Sequence, residues 1–253
     1  MKTIILCGGL GTRLGSETDL KPKPMVEIGN KPILWHIMKK YSNSGFDDFL
    51  IALGYRSEVI KNYFKNFKLY NENFRINLEN NEIEHLSNNS DNWNISLIET
   101  GKNSMTGGRI LRLKDYVDNT FMVTYGDGLC NVDINELLKF HKSHGKIATL
   151  TTVRPPARFG GIKFDGNKVV DFKEKKQTDA GWINGGYFVF NKEVFDYIID
   201  DNTVLEEFTL EKLVENHQLM AFKHEGFWQC MDTKRDMDYL SELVNNRNTP
   251  WLI

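Results

Sequence analysis

The first residues with chemical potential lie where an apolar run near the amino terminus breaks into glycines. The run Thr3–Cys7 is followed directly by the glycine-rich segment Gly8–Gly15. Glycines let backbone N–H groups approach a phosphate without interference from a Cβ atom. Arg13 lies within the segment, and Lys21 and Lys23 follow in the sequence Lys-Pro-Lys-Pro-Met. Backbone donors beside fixed cations predict a cradle for a triphosphate.

Two aspartates add a second kind of chemistry. Asp127 lies in a Gly-Asp-Gly sequence and Asp232 precedes Thr233, and each follows an apolar run. Their carboxylates could bind a metal ion. However, an aspartate between glycines is commonly a turn residue, and one before Thr233 is commonly a helix N-cap. Taken one motif at a time, these ordinary roles are favoured.

The glycine segment does not match the familiar nucleotide-binding motifs. GxxxxGK[ST] is absent, and a Rossmann G-x-G-x-x-G beginning at Gly9 would need glycine where the chain has Leu14. Instead, seven motifs occur in one order: GGLGTRL, KPKPMVEIGNKPILWHI, TGGR, YGDG, FKEK, INGG and FWQCMDT. Together they resemble the sugar-1-phosphate nucleotidyltransferases over essentially the whole chain. The stretch Ser104–Arg109 and the long hairpin before it resemble the cytidylyl-transferring branch of that family.

The resemblance implies a reaction and a cofactor. It implies transfer of a cytidylyl group from CTP to α-D-glucose 1-phosphate, which gives CDP-glucose and pyrophosphate. In these enzymes the carboxylates matching Asp127 and Asp232 bind Mg²⁺, which suits a cation that takes one or two carboxylates plus water and phosphate oxygens. Arg13 and Lys23 match the catalytic cations, with Lys23 reaching the α-phosphate as charge accumulates there.

The resemblance also assigns two groups of binding residues. Ser104–Arg109 matches the loop whose backbone distinguishes cytosine from uracil by the group at one ring position. The nucleotide-binding residues are expected to be Leu6, Gly8, Gly9, Gly11, Thr12, Arg13, Lys23, Ser104, Thr106, Gly107 and Arg109. The sugar-phosphate-binding residues are expected to be Gly126, Glu174, Lys175 and Asn184. One departure leaves the acceptor open, because Lys176 stands where relatives usually have proline.

Composition limits the other function classes. The chain of 253 residues has 32 basic and 34 acidic residues, a balance that argues against nucleic acid as a partner. Its three cysteines lack C-x-x-C spacing, so we expect them to be reduced and buried, with neither a disulfide framework nor a zinc site. No signal peptide or transmembrane run is recognisable, so we expect a cytoplasmic protein without a membrane partner. The resemblance implies a homo-oligomer that supplies deoxysugar synthesis for surface polysaccharides.

The hydrophobic pattern predicts the elements that position these residues. Apolar runs at Thr3–Cys7, Phe49–Leu53 and Thr120–Tyr125 predict buried strands, and spaced apolar residues after the first two predict amphipathic helices. Alternation of short strands with helices favours a mainly parallel sheet, whose ligands bind beyond the carboxyl ends of the strands. The glycine segment and Asp127 both follow such strand ends.

Other stretches predict additions to this core. The polar, asparagine-rich stretch Phe74–Thr100 predicts a β-excursion, and Gly161–Lys175 predicts a hairpin around Asp165-Gly166. Helices are predicted across Gly107–Val117 and Leu205–Asn216. We therefore expect an α/β, Rossmann-like nucleotidyltransferase fold with a mixed, mainly parallel central sheet and an added β-rich sugar-binding part. Residues 1–253 are expected to form a single domain, with the nucleotide bound by about 1–130 and the sugar phosphate by about 131–253.

Three alternatives stay open at this point. The first is a nucleotidyltransferase for another sugar phosphate or a non-sugar phosphate. The second is a dinucleotide-binding oxidoreductase, which is disfavoured by Leu14 and by the lack of an acidic residue ending a second strand. The third is an inactive homologue that binds nucleotide without turnover, which is disfavoured because Arg13, Lys23 and both aspartates are present.

Overall fold

The computed structural model describes residues 1–9, 11–18, 20–86, 91–155, 161–173 and 181–252. The strands are β1 Lys2–Cys7, β2 Glu27–Ile28, β3 Lys31–Pro32, β4 Asp48–Leu53, β5 Phe74–Asn77, β6 Glu82–His85, β7 Asn94–Glu99, β8 Thr120–Tyr125, β9 Gly128–Cys130, β10 Ala148–Val153, β11 Gly161–Asp165, β12 Lys168–Lys173, β13 Ile183–Asn191, β14 Leu219–His224 and β15 Trp228–Cys230. The α-helices are α1 Ile33–Ser42, α2 Ser57–Lys65, α3 Phe67–Asn71, α4 Thr106–Leu111, α5 Ile134–His144, α6 Leu210–Glu215 and α7 Lys234–Asn245.

A seven-stranded sheet forms the centre of the molecule, in the order β14-β10-β13-β8-β1-β4-β7. Strands β8, β1, β4 and β7 are mutually parallel, and β10 is parallel to β14. Strand β13 runs antiparallel to both of its neighbours, β8 and β10. The predicted mixed, mainly parallel sheet is therefore confirmed, and strands from before and after residue 130 belong to the same sheet.

The apolar strands pack on both faces of this sheet because successive side chains point to opposite sides. In β1, Ile5 and Cys7 join a core that includes α1, α5 and α7, whereas Ile4 and Leu6 join a core that includes α4 and α6. All four side chains are buried. This double coverage explains why the run is apolar throughout rather than alternating.

Several helix predictions agree with the structure and two need correction. Helix α1 begins at Ile33, directly after Pro32. Helix α5 begins at Ile134, and the carboxylate of its N-cap Asp133 accepts hydrogen bonds from the N–H groups of Asn135 and Glu136. The helix predicted across Gly107–Val117 ends at Leu111 and resumes as a 3₁₀ turn at Lys114–Tyr116. The helix predicted across Leu205–Asn216 begins as a π-helical segment, Leu205–Thr209.

The predicted β-excursion also needs correction. Strands β5 and β6 do form a separate hairpin, but β7 pairs in parallel with β4 and is the edge strand of the central sheet. The hairpin around Asp165-Gly166 is present as β11 and β12. No helix in the described ranges combines the length and apolar character needed to cross a membrane.

Candidate active site

A cavity of about 790 Å³ lies beyond the carboxyl ends of β1 and β8. This is the position at which ligands bind to largely parallel sheets. Predicted site residues form much of its wall: Leu6, Gly8, Gly9, Gly11, Lys23, Ser104, Thr106, Arg109, Gly126, Asp127, Asn184 and Asp232. Residues separated by more than two hundred positions in the chain thus face one space.

The glycine segment forms one side of this cavity. A Cβ atom at Gly9 would meet no other atom within 4 Å, so the backbone here is open to an incoming group. Gly11 has φ +68°, and a Cβ there would lie 3.0 Å from the Lys23 Cβ. A residue with a side chain would therefore be both strained and crowded at this turn. The side chains of Thr12 and Arg13 lie outside the described part of the structure.

Lys23 lies between the two predicted metal ligands. Its Nζ atom is 2.6 Å from Asp127 Oδ2 and 2.6 Å from Asp232 Oδ1. Burial of the ammonium disfavours its charged form, but the two carboxylates outweigh burial and raise the pKa of Lys23. The two aspartates therefore converge on a single cation, which in this structure is the lysine ammonium itself.

The positions of the two carboxylates are compatible with a Mg²⁺ site. Both oxygens face one point at the cavity wall, and two carboxylates with room for phosphate oxygens are the set that Mg²⁺ usually takes. In the described chain, no group of three or more histidine, cysteine or acidic side chains is placed to enclose a metal. The donor set thus fits an exposed, substrate-bridged cation, provided that the Lys23 ammonium moves away.

A short two-stranded β-ladder, formed by β9 and β15, brings the two aspartates close together. Strands β9 and β15 pair antiparallel, with Gly128 opposite Cys230, so Asp127 and Asp232 flank the same end of the ladder. The N–H of Met231 also donates to the Asp127 carbonyl at 2.8 Å. Thr233, not Asp232, caps α7, and it forms a capping box with Asp236. Asp232 is therefore not the N-cap residue of α7.

Arg109 supports the cavity wall from behind. It is 5% exposed, and its terminal nitrogens donate to the carbonyls of Gly8, Leu53, Gly101 and Lys102 and to the Thr100 hydroxyl. A Cβ at Gly8 would fall inside the guanidinium group, so this glycine is needed for the close approach. The structure gives Arg109 a scaffolding role, and its contact with the nucleotide stays a prediction.

The other predicted residues divide into three groups. Ser104, Thr106, Gly126 and Asn184 lie in the cavity wall, and their binding roles stay predictions. Gly107 is placed elsewhere, because its N–H donates to the Thr203 carbonyl at 3.0 Å and a Cβ there would meet the same oxygen at 2.7 Å. Glu174 and Lys175 lie outside the described residues.

The cavity wall contains residues that the sequence motifs did not assign to the site. Glu206 and Tyr125 contribute polar groups, and Trp228 donates from Nε1 to the Gly185 carbonyl at 2.8 Å. Tyr125 precedes Gly-Asp-Gly and was therefore within reach of the motif reasoning. Glu206 lies in the π-helical segment, a feature often found at functional sites, but no sequence motif marks it.

The cysteines show no sign of nucleophilic activation. Cys7 and Cys130 are buried as expected, whereas Cys230 is only partly buried, which corrects that prediction. Burial, followed by the charge of Asp232, raises the pKa of the Cys230 thiol to about 12. A thiol with a raised pKa is a poor nucleophile because little thiolate forms at neutral pH.

The sheet, the glycine turn and the paired carboxylates define an α/β enzyme that handles a nucleotide at the carboxyl ends of its strands. The chain belongs to the nucleotidyl transferase family, whose model matches residues 2–233. It is 49% identical to the glucose-1-phosphate cytidylyltransferase of Salmonella typhi over 99% of this chain and 98% of that one.

Two further relatives are more distant. The mannose-1-phosphate guanyltransferase of Saccharomyces cerevisiae is 35% identical over 96% of this chain and 64% of its own length. The crystal structure of HddC from Yersinia pseudotuberculosis superposes with a TM-score of 0.69 at 24% identity, and the match covers 96% of this chain and 99% of that one. The last likeness concerns the fold alone.

Proposed function

We propose that this protein transfers the cytidylyl group of CTP to α-D-glucose 1-phosphate and forms CDP-glucose and pyrophosphate. The observation that carries the proposal is the 49% identity to a glucose-1-phosphate cytidylyltransferase across nearly the whole of both chains. The cavity supports it, because the glycine turn, the Ser104–Arg109 stretch and two convergent carboxylates line one space. We propose that residues 1–253 act as one catalytic domain, with the nucleotide held mainly by the first half.

In the proposed reaction a phosphate oxygen of the sugar phosphate attacks the α-phosphorus of CTP in line. The bond from that phosphorus to the β-phosphate breaks, and pyrophosphate leaves with its electron pair. Asp127 and Asp232 would hold Mg²⁺, which neutralises phosphate charge when bound. Lys23 would leave the carboxylates and donate to the α-phosphate, where negative charge grows in the transition state. Arg13 is proposed to contact the triphosphate.

The acceptor is proposed to lie on the other side of the cavity. Gly126 and Asn184 line this region, and a Cβ at Gly126 would lie 2.8 Å from the Leu6 carbonyl, so the wall is tightly packed here. By the resemblance, Lys175 would bind the phosphate of the acceptor and Glu174 a hydroxyl. Charge-assisted hydrogen bonds of this kind are stronger than neutral ones.

Release of pyrophosphate tests this function directly. Four nucleoside triphosphates are each combined with several sugar phosphates in the presence of Mg²⁺. We expect turnover with CTP and glucose 1-phosphate, and loss of turnover in both Asp127→Ala and Asp232→Ala with the fold retained. Product with dTTP or GTP alone would overturn the cytidylyl assignment, and no product with any pair would favour an inactive homologue.

A second candidate differs only in the acceptor. It is favoured by Lys176, which adds a cation beside Lys175 where relatives usually have proline. In the same assay, a preference for an acceptor with an additional phosphate would support this candidate. Equal or better turnover with glucose 1-phosphate would support the first.

We also propose that the protein is a cytoplasmic homo-oligomer whose product supplies deoxysugar synthesis. The β5–β6 hairpin supports self-association, because Ile76 and Ile83 pair on it and each is 43% exposed. An isolated two-stranded hairpin is marginally stable, so packing against a second copy would stabilise it. Light scattering should give a mass above one chain for the wild type and a smaller mass for Ile76→Glu. A wild-type mass of one chain would contradict this part of the proposal.

A further inference from the structure

A chain of hydrogen bonds connects the two sides of the cavity through Glu206. Its Oε2 accepts from the Thr106 hydroxyl at 2.8 Å, and its Oε1 accepts from the Tyr125 hydroxyl. Thr106 opens α4, beside the stretch assigned to the base, whereas Tyr125 ends β8. One carboxylate thus binds a residue on each side.

The chain continues from Tyr125 to Asn184. The Asn184 Nδ2 donates to the Tyr125 hydroxyl oxygen at 3.1 Å, and its Oδ1 accepts from the Gly186 N–H at 2.7 Å. Gly186 has φ +79°, and a Cβ there would lie 2.5 Å from the Tyr125 ring. The second glycine of Ile-Asn-Gly-Gly therefore leaves space for the ring that contacts Asn184.

The donor and acceptor properties of these groups fix which one donates in each hydrogen bond. An ionised carboxylate only accepts, so both hydroxyls donate their hydrogen atoms to Glu206. The Tyr125 oxygen can then only accept, which turns the nitrogen of the Asn184 amide toward it. Burial, followed by the charge of Glu206, raises the pKa of Tyr125, so the phenol retains its hydrogen. The remaining N–H of Asn184 is the donor left for a ligand.

We infer that Glu206 is a positioning residue that sets the orientation of Asn184 for the sugar and of Thr106 for the base at the same time. This inference rests on the proposed function, because that function places a sugar hydroxyl at Asn184 and cytosine beside Thr106. Glu206 does not contact the reacting atoms. Its effect passes through two neutral hydroxyls, that of Thr106 on one side of the cavity and that of Tyr125 on the other.

Single-branch variants separate the two effects. Tyr125→Phe removes the connection to Asn184 alone, so KM for glucose 1-phosphate should rise about three- to tenfold while KM for CTP changes little. Thr106→Val removes the other connection, together with the hydrogen bond that this hydroxyl accepts from the Leu205 N–H at 2.9 Å. KM for CTP should rise while that for the sugar phosphate changes little. Glu206→Ala should raise both KM values, and Glu206→Gln, which keeps one acceptor oxygen, should restore one of them.

The matched control is Glu207→Ala, which removes the same charge from the exposed neighbouring residue. It should behave as the wild type, and adding Tyr125→Phe to Glu206→Ala should have no further effect on the sugar phosphate. If Glu206→Ala does not fold, the two single-branch variants decide the matter. Equal changes of both KM values in each single-branch variant, or none, would overturn the inference. An inactive wild type would instead refute the proposed function.

Discussion

At the scale of single residues, the proposed reaction requires Lys23 to have two successive partners. Its ammonium bridges Asp127 and Asp232, and all three groups line the cavity. Neutralising the two carboxylates lowers their mutual repulsion before any ligand arrives. In the proposed reaction, entry of substrate and cation would displace the same ammonium toward the phosphates, where its charge would have a new partner.

The first prediction concerns the rate. Lys23→Ala should lower kcat by about a hundred- to a thousandfold, roughly 3 to 4 kcal/mol, because a cation that acts on growing α-phosphate charge stabilises the transition state more than the ground state. Steady-state titration of each substrate with the other saturating measures this, with Lys139→Ala, a change at an exposed lysine of α5, as the control. A normal kcat with only a raised KM for CTP would make Lys23 a ground-state binder.

The second prediction concerns cation binding without nucleotide. Lys23→Met should bind Mn²⁺ about tenfold more tightly than the wild type, since the incoming ion no longer has to displace a charge-assisted pair. Electron paramagnetic resonance of free Mn²⁺ gives this affinity without any turnover. Lys21→Met, which makes the same charge change two positions away, should match the wild type. Unchanged or weaker binding by Lys23→Met would show that the ammonium does not occupy the cation position.

At the scale of elements, helix α4 connects several segments of the cavity wall. Through Arg109 it connects the glycine turn after β1 with the ends of β4 and of the segment after β7. Burial lowers the pKa of this guanidinium, and its hydrogen bonds to neutral oxygens compensate for lost hydration. The cavity wall therefore depends on a buried charge whose hydrogen bonds go to five neutral oxygen acceptors.

The third prediction follows from that arrangement. Arg109→Met should destabilise the protein by about 3 kcal/mol and lower Tm by about 6 to 12 °C. Arg112→Met is the matched control, because Arg112 is 45% exposed and pairs with Asp201 at the surface. That change should lower Tm much less, because exposed ion pairs contribute little to stability. Thermal unfolding measures both, and equal shifts in Tm would contradict the scaffolding role of Arg109.

The sequence predicted the elements better than their connections. Apolar runs identified β1, β4 and β8 because strands buried on both faces leave a continuous local signal. The sequence predicts β7 as part of an excursion because its partner, β4, is more than forty residues earlier, and pairing at that distance leaves no local pattern. Motifs placed Asp127 and Asp232, but neither the Lys23 bridge nor Glu206 was predictable, because side-chain direction depends on the assembled fold.

At the scale of the whole molecule, the carboxyl-terminal segment closes the core. Trp251 is fully buried and donates from Nε1 to His36 Nδ1 at 3.2 Å, while His36 Nε2 faces the Ile28 carbonyl at 3.3 Å. The tryptophan therefore packs within its own chain. His36 is buried between these two contacts and has a structural role.

The fourth prediction uses the protonation of His36. Burial lowers its pKa to about 4, so between pH 6.5 and 4 the unfolded chain binds a proton that the folded chain excludes. Stability therefore falls as the pH falls through this range, by about 3 kcal/mol from this group. His36→Gln should lack that loss, so its unfolding free energy should approach the wild-type value on going from pH 7 to pH 4. If the unfolding free energies of the wild type and of His36→Gln changed equally with pH, the prediction would be contradicted.

The β9–β15 ladder sets the order in which the enzyme can become competent during synthesis. Asp127 leaves the ribosome 105 residues before Asp232, and the glycine turn leaves earlier still. Until β15 emerges, β9 lacks its partner and the first carboxylate has no second one beside it. Contacts between such distant parts of a chain form late because loop closure must come first. A nascent chain can therefore form its glycine turn early in translation, whereas the paired carboxylates can form only after Asp232 has emerged.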